Sequence, residues 1–150
     1  MLAVDHGASK TGLAACDALR ITTRVLETAR LDGDAPGLVE HVAELADERD
    51  AATVLIGLPR LASGDEGARA VPTRAFAGRL ASRLADRQVL LYDESLTTKA
   101  AEERMRDDDV PRERRRELRD SYAALVLLED WLEGGGVGGE RVRADAEAER

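Results

Sequence analysis

Three carboxylates in this chain, Asp5, Glu94 and Asp120, stand where a sheet-and-helix fold concentrates chemistry. Asp5 ends the apolar run Leu2-Ala3-Val4, and Glu94 follows the second apolar run Val89-Leu90-Leu91-Tyr92. Both runs have the character of buried strands, and in open α/β sheets ligands gather beyond the carboxyl ends of parallel strands. Asp120 enters through helical geometry. At about 100° per residue, Ala123, Ala124, Leu127, Leu128 and Trp131 form one stripe, and Asp120 lies at its upstream end, aimed toward the sheet. Taken singly, each has an ordinary explanation: a strand-end Asp accepting turn N–H bonds, or a helix-end Asp paired with Arg116. Taken together, three carboxylates from two strand ends and one inward helix face form an all-oxygen site suited to a hard cation, Mg²⁺ or Mn²⁺. Zinc fits poorly, because His6 and His41 lack companions at metal-ligand spacing. Asp93 should face away from the site, since neighbouring strand residues point to opposite faces.

The elements that must position these groups follow from the patterning. Met1 to Asp5 reads as a strand, Gly7, Ser9 and Gly12 as a tight turn, and Leu13 to Cys16 as its hairpin partner. Ile21 to Thr28, rich in β-branched residues, reads as a third antiparallel strand. Leu38, Val39, Val42, Leu45 and Ala46 recur at helical spacing, and Ala52 to Ile56 is an apolar run stopped by Gly57 and Pro59. Phe76, Leu80 and Leu84 share a second helical face after a small-residue loop. Beyond Glu94, Thr97 or Thr98 could cap a helix beginning near Lys99, and Pro111 precedes a last helix running to about Leu132, where Gly134-Gly135-Gly136 stops it.

That order gives an α/β fold with a mixed five-stranded sheet, three antiparallel strands joined to two parallel ones through crossover helices. It is the RNase H-like order, shared with the opening of sugar-kinase, actin and chaperone ATPases, so the fold leaves function open. Residues 1–133 should form the domain and 134–150 a Gly-rich, charged, flexible tail.

Bulk properties narrow the class. A chain of 150 residues, 43% apolar and 35% charged, can bury a core as one domain. Cys16 stands alone, which suits a reducing compartment, and no stretch approaches the roughly 20 apolar residues of a membrane span. The reading is a cytoplasmic protein without membrane attachment. The net charge of −8 argues against a protein that coats nucleic acid. The charge is uneven, however, and residues 112–119 carry five Arg against two acids. Arg112, Arg115, Arg116 and Arg119 recur at helix-face spacing just upstream of Asp120 and are candidates for phosphate contact, with Arg79 and Arg83 behind them. Glu113 and Glu117 offer the alternative of a solvated, ion-paired face.

Four ordered segments then carry a resemblance: Leu2-Ala3-Val4-Asp5-His6-Gly7-Ala8-Ser9-Lys10-Thr11-Gly12-Leu13-Ala14, Ile56-Gly57-Leu58-Pro59, Asp93-Glu94-Ser95-Leu96-Thr97-Thr98-Lys99-Ala100, and Asp120-Ser121-Tyr122-Ala123-Ala124. Together they resemble the motifs of the YqgF (RuvX) family, over Met1 to about Leu132. The family is similar in fold to RuvC-type Holliday junction resolvases, and its members are described as nucleases processing the 5′ end of precursor 16S rRNA. The resemblance implies that Asp5, Glu94 and Asp120 occupy its acidic positions. The chain departs from the family at Lys10 and Ser95, where Arg is common, and at Thr11, where Ile is common. Lys10 offers a point charge in place of a bidentate fork.

The resulting expectation is a metal-dependent nuclease. Asp5, Glu94 and Asp120 would hold one or two divalent ions for in-line phosphodiester hydrolysis, with Lys10 and Thr98 as further phosphate contacts. The partner would be nucleic acid, structured RNA ahead of branched DNA, with monomer and homodimer both open. The alternatives are a non-cutting nucleic-acid-binding or ribosome-assembly module and, less well supported because no duplicated domain follows, an actin-like phosphotransferase.

Overall fold

The computed structural model describes residues 1–94 and 98–144. Strands β1 (Leu2–Asp5), β2 (Gly12–Cys16) and β3 (Thr23–Val25) form an antiparallel meander. Helix α1 (Pro36–Glu48), strand β4 (Thr53–Pro59), helix α2 (Ala70–Arg83) and strand β5 (Gln88–Glu94) follow as crossover units, and both strands lie parallel to β1 in the order β1-β4-β5. Helices α3 (Thr98–Asp107) and α4 (Arg112–Glu133) complete the domain.

Strand alternation divides the core. Leu2, Val4, Val54, Ile56, Val89 and Leu91 face α1 and α2 on one side of the sheet. Ala3, Ala14, Leu55 and Leu90 face α3 and α4 on the other. Fully buried Ala3 and Ala14 keep the second face shallow, so α4 lies close to β1 and β2 and buries Ala124, Leu125, Leu127, Leu128 and Trp131 there. Pro36 starts α1 with its φ already helical, and Gly135 and Gly136, at φ 91° and 68°, end α4 in a conformation that L side chains resist.

Two expectations are corrected. The third strand is shorter than 21–28, because the amides of Ile21 and Thr22 are drawn into a turn by Asp17 Oδ1 at 2.7 and 3.1 Å. The ladder resumes only as an isolated bridge between Thr11 and Ala29. The sheet also has six strands rather than five. The sixth, β6 (Glu140–Arg141), pairs antiparallel with the open edge of β5. Two residues joined by backbone bonds carry no periodicity to read, and it is Arg74 that pins Glu140 there, at 3.0 Å. The remainder of the expected tail, 145–150, lies outside the described residues, as do Ser95 and Thr97. Among the described residues no helix is long and apolar enough to cross a membrane.

Candidate active site

The site is built at one end of the sheet from residues whose faces are fixed by strand parity. Asp5 follows Ala3 and Glu94 follows Leu90 and Tyr92 on the α4 side, so both carboxylates emerge beneath α4. Asp93 points the other way and binds Arg60 at 2.9 Å. Gly12 sets the third member. It is the cross-strand partner of Asp5, and a Cβ placed on it would collide with the Asp120 carbonyl. Only glycine permits α4 to approach this closely, and that approach brings Asp120 beside Asp5. Gly57 is less constrained: a Cβ there would press on the Leu127 side chain at 3.2 Å and only touch the Glu94 carboxylate, at 3.4 Å.

A buried polar bolt fixes the height of α4. Ser121, fully buried, accepts the Leu13 amide at 3.2 Å and is bonded to the Thr28 hydroxyl at 2.8 Å. Thr28 in turn donates to the Glu117 carbonyl at 3.2 Å. Ser121 stands out in the sequence only as part of the segment Asp120-Ser121-Tyr122-Ala123-Ala124, and its partner Thr28 lies 93 positions away and has no local signal.

Asp5, Glu94, Thr98, Arg119 and Asp120 line one cleft of about 120 Å³. Asp5 and Glu94 are close enough to share a proton. Burial, the charge of Glu94, their shared hydrogen bond and the charge of Asp120 push the Asp5 carboxyl up to about 8, opposed by Arg69. Burial raises Glu94 as well, opposed by its bond with Asp5. Among the described residues no three acidic, His or Cys side chains close into a tight metal cage; Asp5 and Glu94 touch, and Asp120 faces them across the cleft. Hard oxygen donors, mutual repulsion and burial are the conditions that a divalent cation relieves.

The other candidates separate. Arg119 reaches the cleft. Lys10 and Arg116 instead line a neighbouring groove with Arg30, Glu113 and Glu117. Arg112 is exposed at the start of α4, whereas Arg115 is turned back onto the Val110 carbonyl at 3.0 Å. Arg79 and Arg83 sit on α2, behind the opposite face of the sheet, and Arg83 is paired with Glu40 at 3.0 Å. Arg69, which no sequence pattern singled out, stands immediately before α2, donates to the His6 carbonyl at 3.2 Å and brings positive charge toward Asp5. Thr11 is fully buried, and its hydroxyl lies 3.5 Å from the Gly7 amide.

Residues 1–134 match the family RuvX, described as Holliday junction resolvase. The chain belongs to the RuvX family. A RuvX relative from Pelotomaculum thermopropionicum, named "Putative pre-16S rRNA nuclease", is 35% identical over 136 residues, covering 91% of this chain and 88% of that one. One from Thermobifida fusca with the same name is 41% identical over 139 residues, covering 88% and 86%. In three dimensions this RuvX chain is similar to RuvC of Thermus thermophilus, with a TM-score of 0.58 at 16% identity over 95% of this chain and all of the other. A fowlpox virus resolvase solved with Holliday junction DNA matches with a TM-score of 0.52 at 12% identity, over 87% and 97%. These two likenesses establish the RuvC-like fold for RuvX, and the family is one of nucleases.

Proposed function

We propose that this chain hydrolyses phosphodiester bonds with the help of Mg²⁺ or Mn²⁺, processing the 5′ end of precursor 16S rRNA or cutting structured or branched nucleic acid, in the cytoplasm. The observation that carries the reading is Asp5, half-buried against Glu94 with Asp120 in the same cleft, and with no salt bridge to any of the three among the described residues. A fold does not keep such a cluster for stability, because like charges crowded together and partly withdrawn from solvent oppose folding.

In this reading Asp5, Glu94 and Asp120 hold the cation. When bound, it supplies an activated water and offsets charge developing on the phosphate. Asp5, between the other two, is the shared ligand. Arg119 and Thr98 sit at the cleft and orient the scissile phosphate, while Lys10, Arg112 and Arg116 hold neighbouring phosphates. Arg115 contributes by positioning the start of α4 through Val110. The names of the relatives favour ribosomal RNA precursor as substrate, and the family description keeps four-way DNA junctions as the second.

The test is cleavage by the purified protein of a 5′-extended RNA hairpin and a four-way DNA junction, with Mg²⁺, Mn²⁺ or chelator. Cutting should require the cation and disappear in Asp5→Asn. Cleavage that persists in chelator or in that variant overturns the reading, as does a well-folded protein that binds both substrates and cuts neither.

A further inference from the structure

A second concave site lies one helical turn from the carboxylate cleft. Lys10, Arg30, Glu113, Arg116 and Glu117 line a groove of about 330 Å³. Three separate segments build it: the loop after β1, the loop after β3, and the first turns of α4. The mutual hydrogen bonds of Thr11 and Ala29, both 2.9 Å, make those residues an antiparallel pair. In such a pair the flanking residues Lys10 and Arg30 come opposite one another. Arg116 lies about 6 Å upstream of Asp120 along the axis of α4, since the helix rises 1.5 Å per residue. The fold therefore gathers three cations beside the reactive end of the sheet, with the carboxylates of Glu113 and Glu117 set among them.

Two carboxylates share the groove in the free protein, and the one held in ion pairs among the described residues is Glu117, which lies 3.6 Å from the Arg30 guanidinium and 4.0 Å from that of Arg114. These pairs are weak. Both partners of the Arg30 pair are more than half exposed, and such contacts contribute little to stability. Planar guanidinium donors bind a phosphate at least as well as a carboxylate, so an incoming phosphodiester can displace Glu117 without disturbing the fold. The backbone carbonyl of Glu117, held by Thr28, keeps α4 in place while its side chain swings out.

We propose that this groove is a second phosphodiester-binding site, with Arg30 as its principal contact and Glu117 as a resident counter-ion that the nucleic-acid backbone displaces. The proposal rests on the nuclease reading above and names where the strand leaves the cleft. Arg30 had no place in that reading.

The experiment measures binding of a 5′-extended RNA hairpin and a four-way DNA junction as a function of salt. All variants are made in the Asp5→Asn background, so affinity is read without cleavage. Arg30→Ala should weaken binding about threefold to tenfold on both substrates and lower the salt slope by roughly one. Glu117→Gln should tighten binding about threefold, and that gain should vanish when combined with Arg30→Ala, because the two residues act through each other. Glu44→Gln, exposed on α1, controls for loss of one negative charge and should change affinity little. An unchanged affinity and slope for Arg30→Ala overturns the site. A Glu117→Gln gain that survives Arg30→Ala, or is equalled by Glu44→Gln, overturns the displacement. Neither result touches the nuclease reading, which stands or falls on cleavage by the unmodified chain.

Discussion

Asp5 and His6 are neighbours in the chain, both withdrawn from solvent, and treated in opposite ways by the fold. His6 turns to the α2 side, where its Nε2 meets the Gly33 carbonyl at 2.8 Å, its Nδ1 lies 3.4 Å from the Thr73 hydroxyl, and its ring stacks on Phe76 at 4.7 Å. Asp5 turns to the α4 side, where its nearest polar neighbours carry its own sign. Every polar atom of the imidazole has a partner, whereas the carboxylate is crowded by Glu94 and Asp120 and relieved only in part by the charge of Arg69. A buried ionisable group with satisfied partners supports the fold, whereas one held against like charge is being kept for a ligand.

Charge removal at Asp5 should break the comparison most strongly. Asp5→Asn keeps the side-chain size and should lower cleavage by about 10³-fold or more, while Glu94→Gln and Asp120→Asn cause losses that do not add to it. Initial rates on the RNA hairpin with Mg²⁺ measure this for each variant and for the pairs. Independent, multiplicative losses would show that the three do not act as one site.

Next is the geometry that creates the crowding. Gly12→Ala places a methyl group against the backbone of Asp120 and must lift α4 from β2. A displacement near 1 Å at a reacting centre costs on the order of 10²-fold in rate, and overpacking of this kind costs about 1–3 kcal/mol. Cleavage rates and urea denaturation read the two effects. A variant with unchanged activity would mean that α4 has room the structure does not show.

How much of this was legible in the residues differs by kind of interaction. The alternation of Leu2-Ala3-Val4-Asp5 and of Leu90-Leu91-Tyr92-Asp93-Glu94 was enough to place two carboxylates on one face, because strand parity is local. The stripe of α4 likewise aimed Asp120 inward. The element order came through for the same reason. What escaped depends on contacts remote in sequence: the Ser121–Thr28 bolt, the bridge that sets Arg30 opposite Lys10, Arg69 beside His6, and β6, which is recruited by an open strand edge rather than by its own pattern. Arg112, Arg115, Arg116 and Arg119 share helix-face spacing, yet the structure gives them four different surroundings, since spacing does not say what the opposing surface offers.

A smaller effect should appear in the stability of the cation-free protein. The Asp5 carboxyl is raised from 3.8 to about 8, so between those values the folded chain binds a proton that the unfolded chain has released. Stability must then fall as pH rises through that window. Chelated wild type should lose melting temperature between pH 5 and pH 8 relative to Asp5→Asn, which should be the more stable at pH 8 by roughly 1 to 2 kcal/mol. Mg²⁺ should restore the wild type and leave the variant unchanged. Equal pH profiles for the two chelated proteins would mean that Asp5 is not crowded.

His6 should show the reverse slope and the smallest effect on catalysis. Its pKa is held below 6.5, chiefly by burial, against the bond to Gly33 and with the charges of Arg69 and Arg79 acting in the same sense as burial. The unfolded chain therefore takes up a proton that the folded chain refuses, and stability is lost as pH falls below about 6.5 rather than as it rises. His6→Gln keeps a donor for Gly33 but gives up the stack on Phe76, which should cost about 1–3 kcal/mol at pH 7 and flatten that acid-side slope. Its cleavage rate, measured well below the melting temperature with saturating Mg²⁺, should remain within a few-fold of wild type, because the ring lies behind the sheet from the cleft. A loss of activity approaching that of Asp5→Asn in a folded His6→Gln protein would overturn the division, since the two faces of this one strand would then both belong to the site.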